Sequence, residues 1–131
     1  MIPIDMQILH RPENGFYGDC FRCCIASIME LPAKEVPHFC GLGDDDTDGQ
    51  WFRDLEQWLI QFNLAPIMIE LSAQWDMSST NIIYVRSGKT VRGTRHSTVW
   101  RKNTMIHDPH PDRTGILMDV FPQDLILLCR R

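Results

Sequence analysis

A chain of 131 residues is the length of one domain built around one core, and 44% hydrophobic with 23% charged residues excludes a disordered or low-complexity chain. The net charge of −4 and isoelectric point near 5.6 argue against a nucleic-acid or anionic-membrane partner, because the thirteen Lys and Arg are scattered apart from small groups near Arg86–Arg95 and at Arg130–Arg131. No run approaches the roughly 20 apolar residues of a membrane span, and the opening MIPIDMQILH lacks the basic start and long apolar core of a signal peptide, so a cytoplasmic protein is expected.

Pro3, Pro12, Asn14, Gly15 and Gly18 predict an irregular lead-in with turns, ending at Asp19 in the position of a helix N-cap. Cys20, Cys23, Cys24, Ile28 and Leu31 then recur at three- and four-residue spacing, which predicts a helix over Cys20–Leu31 with one buried face, stopped by Pro32. A short turn, Ala33–Val36, leads to Pro37 and to the acidic run Asp44-Asp45-Asp46 with Asp48. That run reads as a solvated loop, since the alternation and closing Glu of a calcium-binding EF-hand are missing. A second helix is predicted over about Gln50–Phe62, with Trp51, Leu55, Trp58, Leu59 and Phe62 as its apolar stripe. After Asn63 the character changes to short runs of strand formers at Ile67–Leu71, Ile82–Val85, Ser97–Trp100, Met105–Ile106 and Leu125–Cys129. Helices first and antiparallel strands afterwards predict an α+β domain over residues 1–131.

Five cysteines is an odd number, and Cys20, Cys23 and Cys24 crowd onto one helix where neighbours pair poorly, so thiol chemistry, metal binding or burial must account for them. Attack on an acyl carbon needs a thiolate, and the unpaired N–H groups of a helix N-terminus favour one. Cys20 stands in the first turn; Cys23 and Cys24 lie one turn deeper. A nucleophile also needs a base, and His96 opens the run His-Ser-Thr-Val-Trp, where a strand would hold its imidazole rigidly. Across a hairpin turning at Lys102-Asn103, Asp108 falls beside His96 on the neighbouring strand, the place for a carboxylate that orients the ring.

These residues carry a resemblance. Gly18-Asp19-Cys20 opening a helix with Ala26-Ser27, then His96 before a Val-containing strand, then Asp108-Pro109 before Gly115 resembles the papain-like fold, particularly the C39-like peptidases. The patterns Gly-x-Cys-x-x-x-Cys-x-Ala-Ser and His-Asp-Pro-His-Pro are similar to those of small uncharacterised papain-like proteins of phages and bacteria. The resemblance runs from about Gln7 to Gly115. It implies N-terminal helices packed on an antiparallel sheet, hydrolysis of peptide, isopeptide or related amide bonds through a thioester, a peptide or protein substrate such as a host protein, and no cofactor. It also implies an upstream amide that joins the Cys20 N–H at the oxyanion, for which Gln7 and Asn14 are the two candidates. Asp19, His107, His110 and Trp100 are the expected substrate contacts, with Trp75 a further candidate groove wall.

Plainer readings stand beside these. Cys20 as a buried helix residue, His96 as a satisfied strand histidine and Asp108 as a turn cap are each common taken singly; their ordered occurrence favours the catalytic set. Cys20-x-x-Cys23 with His107-x-x-His110 offers a zinc alternative, against which Asp108-Pro109 interrupts the histidine pair and the thiols open a helix. A thioredoxin-like redox pair would need a preceding strand that the pattern lacks. His10 and His38 have no pattern around them, and Cys40 and Cys129 read as structural. A papain-like scaffold used for binding, for example a phage factor that blocks a host component, is the alternative function.

Overall fold

A computed structural model describes residues 1–131. A 3₁₀ turn at Pro12–Asn14 precedes helix α1 (Cys20–Met29), and helix α2 (Gln50–Leu59) runs on into a 3₁₀ turn at Ile60–Phe62. Five strands follow: β1 (Leu64–Leu71), β2 (Ile83–Lys89), β3 (Arg95–Arg101), β4 (Thr104–His107) and β5 (Gln123–Arg130). They form one antiparallel sheet in the order β1-β5-β2-β3-β4. The molecule is α+β, with α1 packed over β2 and β3 and α2 over β1. No helix is long and apolar enough to cross a membrane.

Successive strand residues point to opposite faces, and the sheet carries a cluster on each. Val85, Val99 and Ile126 meet Phe21, Cys24, Ile25, Leu55 and Leu59 of the helices, while their neighbours Tyr84, Trp100, Leu125 and Leu127 pack with Leu71 and Met77 on the other side. Burial of the first group under the helices supplies the larger hydrophobic contribution.

Several boundaries differ from the sequence reading for local reasons. Helix α1 stops at Met29, two residues short of Leu31: a proline disfavours helical geometry in the residue before it, and the chain leaves through Glu30 in the left-handed region, φ 59°. Strand β1 starts three residues before Ile67, taking in Pro66, because it is an edge strand where a missing N–H costs no ladder bond. Strand β2 runs four residues past Val85 through Arg86-Ser87-Gly88-Lys89, polar side chains that the strand-former count passes over. The acidic run does more than face solvent. Asp46 accepts from the N–H of Gln50 at 2.7 Å and of Trp51 at 2.8 Å, capping α2 from outside its N-terminal glycine. Its carboxyl is held below the ordinary value by those backbone bonds, Trp51 first.

Candidate active site

The chain enters α1 through Gly18, Asp19 and Cys20. Asp19 holds the N-cap position without capping. Its carboxylate is fully buried at 0% exposure and turns back to the lead-in, accepting from the N–H of Gln7 at 3.1 Å and of Ile8 at 3.0 Å and pairing with Arg22 Nη2 at 2.5 Å. The N–H groups of Cys20, Phe21 and Arg22 are thereby left without an acceptor in the protein. An open helix N-terminus of this kind attracts negative charge, and Cys20 is its first residue.

His96, in β3, is 4% exposed and Asp108, just beyond β4, is 2% exposed. The hairpin between these strands turns at Lys102-Asn103, with Lys102 left-handed at φ 54°, and a register shift at Val99/Trp100 adjusts the pairing. His96 Nε2 donates to Asp108 Oδ1 at 2.6 Å. The same oxygen accepts from the N–H of His110 at 2.9 Å, and Oδ2 accepts from the N–H of Gly115 at 2.7 Å. Gly115 has φ +72°, a left-handed turn that favours glycine, and an added Cβ would stand 3.1 Å from Met105 Sδ, which would have to give way. The Arg113 guanidinium donates to the Asp108 carbonyl oxygen and chelates the Asp5 carboxylate at 2.6 and 2.8 Å, bracing this segment against the lead-in.

With Nε2 engaged by Asp108, Nδ1 is the nitrogen of His96 left for Cys20. The two side chains share a pair of adjoining cavities of about 350 and 370 Å³, which also share His10, Gly18 and Arg95. Burial alone would push the His96 pKa down, but the Asp108 hydrogen bond and the adjacent Cys20 sulfur, which in its thiolate form favours an imidazolium, outweigh it and raise the value to about 9. Burial likewise opposes ionisation of Asp108, and the bonds from His96, His110 and Gly115 overcome it, leaving the carboxyl below its ordinary value. Burial pushes Cys23 and Cys40 up to about 12 and Cys24 well above the ordinary thiol value, so these three are inert sulfurs.

The structure brings Cys20, His96 and Asp108 together, and His110 lines the smaller cavity with its ring edge-on to His96, centroids 5.9 Å apart. The other expected site residues lie elsewhere. Gln7 is exposed, its side-chain amide donating to the Asp5 carbonyl at 2.9 Å, and it borders a separate hollow with Arg22 and Lys34; the lead-in turns it away when Asp19 takes its backbone N–H. Asn14 ends the exposed 3₁₀ turn and lines neither cavity. Asp19 is a buried tie, its carboxylate turned to the lead-in and to Arg22 and lining neither cavity. His107 is buried, with Nε2 against the Ile4 carbonyl at 2.9 Å, on the Asp5–Arg113 side of Asp108. Trp100 is 6% exposed in the far-side cluster, donating to Thr98 Oγ1 at 2.7 Å, because strand alternation sends its neighbour Val99 towards the helices. Trp75 is half exposed beside Asp76 and Asn103. The aromatic wall of the larger cavity is made instead by Tyr17, Phe21 and Trp51. His10, for which the sequence offers no pattern, lines both cavities. No group of three or more His, Cys, Asp or Glu side chains is arranged to hold a metal ion, and all five thiols are free.

Comparisons with protein-family models, with curated proteins and with solved structures return no match.

Proposed function

We propose that the protein is a papain-like cysteine hydrolase acting on peptide, isopeptide or related amide bonds of a peptide or protein substrate in the cytoplasm. One observation carries this reading: Cys20 opens an uncapped helix in the same cleft as an imidazole whose far nitrogen is held by a buried, fully hydrogen-bonded carboxylate. His96 takes the Cys20 proton on Nδ1, which makes the sulfur a nucleophile. The sulfur attacks the substrate carbonyl carbon, and the oxyanion forms against the open N–H groups of α1. His96 then gives its Nδ1 proton to the leaving nitrogen as the C–N bond breaks, leaving a thioester. Neutral His96 takes a proton from water, the hydroxide attacks the thioester carbon, and cleavage of the C–S bond restores thiolate and imidazolium. Asp108 keeps the ring in one tautomer and orientation throughout.

The test is iodoacetamide alkylation across pH with peptide mapping of all five cysteines. Cys20 alone is expected to react fast at pH 6, and to slow by about 10–100-fold in His96→Ala as its thiolate fraction falls. A Cys20 that titrates like an ordinary thiol near 8.5 would sink the proposal. One observation favours the second reading, a papain-like binding protein: neither Gln7 nor Asn14 presents an amide to the cleft. A binder retains its effect in cells as Cys20→Ser, whereas a hydrolase loses it.

A further inference from the structure

Resting on the hydrolase reading, we infer that His10 supplies the second oxyanion donor, its Nε2–H taking the role that the resemblance reserves for an amide. The ring lines both cavities that hold Cys20 and His96, and it is seated on the chain that enters α1. The N–H of Gly18 donates to His10 Nδ1 at 3.1 Å. A ring nitrogen receiving a backbone N–H is an acceptor, so the proton of this histidine resides on Nε2 and is free to be donated. That makes His10 the opposite of His96. The base has its Nε2 held by a carboxylate, while His10 has its Nδ1 held by a backbone amide, which leaves Nε2–H as its donor.

The seating is tight on the main-chain side. A Cβ built on Gly18 would stand 3.0 Å from His10 Cβ and 3.2 Å from His10 N, tighter than most side-chain contacts, so glycine eases the close approach of this ring to the turn two residues before Cys20. The other side rests against Tyr17, ring centroids 5.9 Å apart. The backbone that carries His10 is tied to the same turn, since Asp19 binds the Gln7 and Ile8 N–H groups and its own N–H donates to the Ile8 carbonyl at 3.2 Å. The contacts that point the Gln7 amide away from the cleft bring His10 into it.

Two probes of Cys20 separate this role from a structural one. Alkylation by iodoacetamide displaces iodide at a tetrahedral carbon and makes no oxyanion, whereas acylation by p-nitrophenyl acetate passes through one. In His10→Ala the rate of Cys20 acylation, corrected with Cys20→Ala, is expected to fall about 100-fold, the size of one oxyanion donor, with alkylation within about twofold of the unaltered protein. His10→Gln, which returns a side-chain N–H donor, should recover much of the acylation rate. Unchanged acylation in His10→Ala overturns the inference, and so does a parallel fall in both reactions, which would mean that His10 only supports the fold around Cys20. If Cys20 of the unaltered protein is no faster than an ordinary thiol with iodoacetamide, the hydrolase reading fails first and this role falls with it.

Discussion

Two buried ionisable clusters stand against β2 and β3, and they are satisfied to opposite degrees. Around Asp108, the charge meets a counter-charge: His96 lies at 2.6 Å, and the backbone N–H groups of His110 and Gly115 add two further hydrogen bonds. Around Arg86, 2% exposed, the guanidinium has no carboxylate. Its Nε donates to Gln123 Oε1 at 2.8 Å, its Cζ lies 5.1 Å from the centre of the Trp100 ring, and its Nη2 is buried with no partner. Burial pulls the Arg86 pKa below its ordinary value, with neighbouring Tyr84 opposing. A π face and a single amide are weak compensation for a desolvated charge. The contrast shows where precision is concentrated: at Asp108 every bond converges on one imidazole, whereas Arg86 orients the Gln123 amide so that its Nε2 can donate to the Leu117, Met118 and Val120 carbonyls and hold a loop.

The largest expected effect comes from removing the compensated carboxylate. Asp108→Ala leaves a buried imidazolium and two backbone N–H groups without acceptors and should cost about 3–5 kcal/mol in urea unfolding. Cys20 should also lose its fast alkylation at pH 6. A cost below about 1 kcal/mol would mean that water replaces the carboxylate easily, and the contrast between the clusters would lose its physical basis.

A somewhat smaller effect follows from pH. His96 binds its proton more tightly in the folded chain, about 9, than in the unfolded chain, about 6.5. Its contribution to stability is therefore complete below about pH 6.5 and is lost as pH rises through 9. Asp108, held below its ordinary value, contributes above about 3.9, the unfolded carboxylate value, and its contribution is lost as pH falls through the folded value. In Cys20→Ser, where no thiol titrates beside the ring, the urea midpoint should drop between about pH 6 and 9.5 by the equivalent of up to about 3 kcal/mol as His96 loses its proton. His96→Gln should flatten that drop; an equally steep drop in the variant would assign it to other groups.

The features most legible in the sequence are those governed by short-range rules. Cys20 at a helix start follows from Gly18, Asp19 and the spacing of Cys23, Cys24 and Ile28, and the nearness of His96 and Asp108 follows from one hairpin at Lys102-Asn103. Features set at long range or by single side chains are hidden. Nothing in Gln123–Arg130 announces that β5 inserts between β1 and β2. Val99 and Trp100 are both apolar, so the pattern cannot choose which faces the helices, and Trp100 falls on the side away from the cleft. The lead-in has no period at all. Its course depends on the Asp19 carboxylate seizing the Gln7 and Ile8 N–H groups, and that contact both retires Gln7 and admits His10.

The smallest expected effect is also the sharpest probe of the comparison. Arg86→Met replaces a buried, uncompensated guanidinium with an apolar side chain able to keep contact with Trp100. The losses are one hydrogen bond to Gln123 and the π contact; the gain is relief from desolvating a charge. These oppose one another, so the net change should lie within about 2 kcal/mol in either direction, well under the cost of Asp108→Ala. Because Gln123 keeps three carbonyl acceptors on its Nε2, the loop should stay in place and Cys20 alkylation should not change. A loss matching that of Asp108→Ala, measured by the same urea titration, would mean that the guanidinium is far better solvated or paired than its surroundings allow. The two clusters would then be equals, and the convergence on His96 would no longer distinguish the Cys20 side of the sheet.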